Sequence, residues 1–108
     1  MSKIKLDNFV YYGSLFEVYG KLLSEDRQKI MTDYFSFNMT LAEIAKERNI
    51  SRQAVADAID KSCEKLQKFE DLLCVLGRRQ KLTKNLEELQ CILPKEYKEK
   101  VEKILQEI

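Results

Sequence analysis

Thr40 to Ile59 reads T-L-A-E-I-A-K-E-R-N-I-S-R-Q-A-V-A-D-A-I, and the spacing within it decides the fold. Thr40 with Glu43 three residues on makes a T-x-x-E capping box, which starts a helix at Leu41. Leu41, Ile44 and Ala45 recur at helical spacing and supply its buried side. Ala45 is small, so a second helix can cross close to it. Asn49 stands where the chain must turn, and it tolerates a left-handed backbone better than most residues other than Gly. Ile50 is expected to plug the core beneath the turn. Ser51 then caps a second helix, with Val55 and Ile59 on its buried face. Two helices joined in this way make a helix-turn-helix, a unit whose second helix commonly enters a DNA major groove.

The rest of the 108 residues agrees with an all-α fold. Three Gly, one Pro and few alternating β-branched runs leave little material for turns or strands. The length suits one domain with a modest core. Nineteen basic residues against eighteen acidic give a net charge of +1, so any nucleic-acid-binding surface has to be a local concentration of charge. Cys63, Cys74 and Cys91 are an odd number without a C-x-x-C pair, and the chain has no His. That pattern predicts three reduced, mostly buried thiols in a cytoplasmic protein, with no metal site and no cofactor. No signal peptide precedes Lys3 or Lys5, and no apolar run approaches the length of a membrane span.

Outward from the motif, periodicity predicts further helices. Phe9, Tyr12, Phe16, Tyr19 and Leu23 form one stripe between about Asn8 and Leu23, with Gly13 and Gly20 as sites of close approach. Ser24 caps the next helix, whose buried face is Ile30, Met31, Tyr34 and Phe35. Beyond the motif, Val55, Ile59, Cys63, Leu66, Phe69, Leu73 and Leu76 continue one stripe up to Gly77. This predicts a helix of about 25 residues with Gly77 as its C-cap. Two more stripes follow, Leu82 to Leu93 before Pro94, and Tyr97 to Ile108. The expected organisation is a single domain over 1–108. Residues 1–62 form the helix-turn-helix head, and 63–108 form a C-terminal helical extension. So much apolar stripe on so little chain calls for cover, either by the C-terminal helices folding back within one chain or by two chains sharing their seams, and the favoured expectation is a homodimer.

The residues also carry a resemblance. Leu23-Ser24-Glu25-Asp26-Arg27-Gln28, Tyr34-Phe35, Leu41-Ala42-Glu43-Ile44-Ala45 and Ile50-Ser51-Arg52-Gln53-Ala54-Val55 resemble region 4 of sigma-70-type factors. Over nearly its full length the chain more closely resembles the YlxM family of small bacterial proteins. The match includes Leu15-Phe16-Glu17-Val18-Tyr19, the S-R-Q-A-V element and the long helical tail. The resemblance implies a sigma-region-4-like helix-turn-helix protein without catalytic activity. It also implies an accessory role with the signal recognition particle, through the neighbourhood of the family's genes. Family members commonly follow S-R-Q-A-V with Y-D-N-I-K-R, whereas this chain has Ala56-Asp57-Ala58-Ile59-Asp60-Lys61.

Two groups of residues are candidates for contact with DNA or RNA. Ser51, Arg52 and Gln53 open the second helix of the motif and offer donors to bases and phosphates. Ala56, Asp57 and Asp60 follow on the same helix and leave its expected outer face neutral. Arg52 and Gln53 have the alternative of pairing with Glu43 or Glu47. The second group is Arg78, Arg79 and Lys81, with Lys84 beyond, in a run without acidic residues. These offer phosphate contacts, or else complement the negative end of the long helix. The aromatics, Tyr11 and Phe37 among them, are expected in the core. Without His, a nucleophile paired to a base, or a phosphate loop, no catalytic role is assigned. Two functions remain: a nucleic-acid-binding regulator or accessory factor, or a protein-interaction module keeping the motif as a scaffold.

Overall fold

The computed structural model describes residues 6–108, with side chains from Asn8 onward; Lys3 and Lys5 lie outside them. Six α-helices and no strand occur among the described residues. The chain divides into two compact units, Met1–Leu73 and Cys74–Ile108. Ser62, where the sequence closes the head, lies inside the first unit with its side chain fully buried.

The first unit holds α1 (Leu6–Tyr19), a 3₁₀ turn (Gly20–Leu22), α2 (Glu25–Phe35), α3 (Leu41–Arg48) and α4 (Arg52–Leu73). α4 packs against the other three helices. Its buried face is Val55, Ala56, Ile59, Ser62, Cys63 and Leu66, which meets Leu15, Met31 and Ile44 in the core. Burying each large side chain contributes about 1.5–3 kcal/mol against the entropy of ordering it. Leu15, absent from the aromatic stripe of α1, is fully buried, whereas Phe9, Tyr12 and Phe16 are only partly covered. Phe9 lies 4.9 Å from Phe35 and 5.5 Å from Tyr34 by ring centroids, which joins α1 to α2. Gly20 lets the Phe16 ring lie across the end of α1, where an added Cβ would come 2.7 Å from it. Phe37 is 68% exposed in the loop after α2 and Tyr11 is also exposed, so neither is a core aromatic.

Polar contacts fix how the helices meet. Arg48 on α3 donates from Nε and Nη2 to Oδ2 of the largely buried Asp33 on α2, at 3.1 and 2.7 Å. Arg27 Nη1 reaches the buried Ser62 hydroxyl at 3.4 Å. Tyr11 donates to Gln67 at 2.8 Å and Tyr19 to Glu70 at 2.5 Å, pinning α1 along α4.

The second unit is an αα-hairpin of α5 (Val75–Ile92) and α6 (Lys95–Glu107). Leu93 and Pro94 connect them, and Pro94 supplies the fixed φ that opens α6. Val101 is buried, and Gln90 Nε2 donates to Lys98 O and Glu102 Oε2, both at 3.2 Å.

The expected 25-residue helix is interrupted. α4 ends at Leu73, and Cys74 takes a left-handed conformation with φ 55° and ψ 28°. Gly77 is not a C-cap but lies inside α5. Periodicity cannot detect this break, because Leu73, Val75 and Leu76 keep the apolar pattern running across it. Two of the three thiols also differ from expectation: Cys63 is buried, but Cys74 and Cys91 are exposed.

Candidate nucleic-acid interface

The capping box that starts α3 forms in full. The Glu43 N–H donates to the Thr40 hydroxyl at 3.1 Å, and Thr40 N–H donates to Glu43 Oε1 at 2.9 Å. The Thr40 backbone N–H first, and the Thr40 hydroxyl second, hold the Glu43 carboxyl below its ordinary pKa by hydrogen bonding to it. Asn49 ends α3 in the left-handed region, with φ 55° and ψ 46°. The N–H of Ile50 then returns to Ala45 O at 3.0 Å. Ile50 is 41% exposed at the turn and does not plug the core; the buried residues of α3 are Ile44 and Ala45.

Ser51 caps α4, its hydroxyl accepting from the Ala54 N–H at 3.0 Å. Gln53 donates through Nε2 to Asp57 Oδ1 one turn on, at 3.0 Å, and not to Glu43 or Glu47. Two of the three candidate readers are thus engaged within their own helix. Arg52 is exposed at the N-terminal tip of α4. Ala56 is 1% exposed and belongs to the core, so it contributes nothing to an outer face. That face carries exposed Lys61, Lys65 and Lys68 at helical spacing, interleaved with Asp57, Glu64 and Asp71. The outer stripe is therefore neutral along the whole helix. Lys65 and Lys68 escaped the sequence assignment, although the period of 3.6 that locates the buried face also locates them.

The second candidate group lies in the second unit. Arg78, Arg79 and Lys81 are all exposed on the N-terminal half of α5, with exposed Lys84 just beyond it, and the helix has no acidic residue in its first turn. The Arg78 N–H donates to Cys74 O at 3.0 Å, so the run begins within the first turns of this helix. The break at Cys74 removes the explanation that these arginines complement a helix C-terminus. They stand at a positive helix end, where their charge adds to the helix dipole. A concentration of like charge there weakens the helix by itself and attracts anions. The structure thus places Ser51, Arg52 and Gln53 together in one unit, and Arg78, Arg79 and Lys81 together in the other. No cluster of metal-ligating residues occurs among the described residues, and none of their helices is long and apolar enough to cross a membrane.

The capped turn at Asn49, the crossing of α3 and α4 and the exposed tip of α4 define a helix-turn-helix protein. The chain belongs to the UPF0122 family, whose model is described as "Putative helix-turn-helix protein, YlxM / p13 like" and matches residues 6–108. It is 38% identical over 96 residues to a UPF0122 protein of Fusobacterium nucleatum subsp. nucleatum, covering 89% of this chain and 93% of that one. A UPF0122 protein of Halalkalibacterium halodurans is 36% identical over 84 residues, covering 78% of this chain and 77% of its own. One from Symbiobacterium thermophilum is 40% identical over 76 residues, covering 70% and 71%. No solved structure matches the chain at a significant level.

Proposed function

We propose that this protein is a non-enzymatic, cytoplasmic nucleic-acid-binding accessory factor that grips phosphate with the N-terminal half of α5. Arg78, Arg79 and Lys81 make the principal contacts, and Arg52 at the tip of α4 adds one from the helix-turn-helix. The observation that carries this is the exposed cation cluster at a positive helix end, in a chain whose net charge is only +1. Ser51 serves chiefly as a cap, and Gln53 reads a base only after releasing Asp57. Binding of this kind is dominated by charge and weakly selective for base sequence. RNA of the signal recognition particle is the first target to test, because of the family resemblance in Arg52-Gln53-Ala54-Val55 and its surroundings. Two copies of the chain act together in this reading, and the kinship with sigma-70 region 4 concerns the shape of the head.

The second reading, a scaffold that binds protein, is favoured by the neutral outer stripe of α4. Fluorescence titration of that RNA and of duplex DNA at two salt concentrations separates the readings. Binding that weakens with salt and with Arg78→Ala/Arg79→Ala supports the first. Absence of binding at micromolar protein in low salt leaves the scaffold.

A further inference from the structure

The αα-hairpin cannot cover its own apolar surface. Leu82 and Leu89 on α5 remain 49% and 42% exposed, and Tyr97 and Ile104 on α6 remain 52% and 42% exposed. Each pair is spaced by seven residues, which puts its members on one line along the helix. The seam between the helices is marked by buried Val101 and by Gln90, which bonds to Lys98 and Glu102. At about 100° per residue, both exposed pairs are rotated from the seam in the same sense. In an antiparallel hairpin, stripes rotated in the same sense emerge on the same side. Both helices therefore contribute to one continuous exposed apolar face.

Charge on α5 identifies the occupant. Along one edge of this face exposed Lys81 stands in the second turn of α5 and exposed Glu88 two turns later, both about 90–110° from the Leu82–Leu89 line at about 100° per residue. A copy of α5 laid antiparallel across this face reverses that polarity and sets opposite charges together. Self-complementarity of this sort is what a two-fold interface requires.

We propose that this face is the homodimer interface, with α5 packed antiparallel on α5 of a second copy about a two-fold axis at Asn85. The proposal rests on the two-copy reading above and specifies its surface. Leu82 meets Leu89 of the partner subunit. Lys81 lies opposite Glu88 of the partner subunit at the rim. Asn85 meets its own equivalent on the axis, where a polar pair fixes register at some cost in stability. Tyr97 and Ile104 cover the flank and complete a four-helix bundle.

The test uses the full chain in sedimentation equilibrium, with circular dichroism to confirm that each variant keeps its helices. Leu82→Lys and Leu89→Lys change exposed residues and should raise the dimer dissociation constant by about 30-fold or more, the effect of losing a hot-spot contact. Glu88→Lys should weaken the dimer, and adding Lys81→Glu to it should restore association. In a Cys74→Ser/Cys91→Ser background, Asn85→Cys should form a disulfide-linked dimer under mild oxidation, whereas Lys84→Cys should not. A dimer indifferent to both Leu substitutions and uncrosslinked at position 85 overturns this surface and leaves the two-copy reading standing. A monomer at hundreds of micromolar overturns both.

Discussion

Asn49 shows how much one residue settles in this chain. Its left-handed backbone closes the turn between α3 and α4, and that demand was visible in the sequence as an Asn between two capped helices. Asn49→Gly should leave stability nearly unchanged in urea denaturation, while Asn49→Val should cost about 1–2 kcal/mol, the penalty for a branched side chain in that region. Neighbouring residues were less legible. Ile50 is apolar yet exposed, and Ala56 is buried where the outer face was expected, because one step of about 100° moves a side chain from one face to the next. The cysteines diverge for the same reason. Burial first, and the Asp60 charge second, push the Cys63 thiol up to about 12, whereas Cys74 and Cys91 are exposed. A thiol reagent at neutral pH should therefore label Cys74 and Cys91 and reach Cys63 only after unfolding, as peptide mass mapping will show. The unfolded thiol ionises near its ordinary 9.0 and the folded one near 12, so the stability tied to Cys63 is full below pH 9 and lost as pH rises toward 12. The fall in urea midpoint across that window should be smaller in Cys63→Ala than in the parent.

At the scale of elements, periodicity and caps located the helices well. Ser24, Thr40 and Ser51 cap the helices they were expected to cap, each accepting from a backbone N–H three residues on. The junction of α4 and α5 was not legible. Leu73-Cys74-Val75-Leu76 contains no Gly, Pro or Asn, so nothing in the sequence marks a stop before Gly77. The left-handed Cys74 is a conformation that a right-handed helix excludes and that a non-Gly side chain resists. Cys74→Gly should relieve that cost, leaving the protein about 1 kcal/mol more stable than Cys74→Ala, which favours a continuous helix. Calorimetry of the two variants should show the higher melting temperature for Gly. The break also changes what Arg78 and Arg79 mean. As the end of one long helix they would be ordinary dipole partners; near the beginning of α5 they add positive charge to a positive helix end.

Across the whole molecule, a net charge of +1 conceals an uneven distribution. α4 alternates its charges along the outer stripe, and α5 separates them into a basic first half and an acidic later portion. The sequence showed the α5 run plainly, but its setting depended on a backbone break that residue types do not encode. The helix-turn-helix supplies the frame and Arg52, and the basic start of α5 supplies most of the proposed grip. The decisive measurement is the salt dependence of binding to signal recognition particle RNA, compared between the parent chain and Arg78→Ala/Arg79→Ala. The account predicts binding in low salt that weakens as salt rises, with a log–log slope reduced by roughly 1 for each cation removed. Binding whose affinity and slope are the same in both proteins, or no binding at micromolar concentration in low salt, would contradict it.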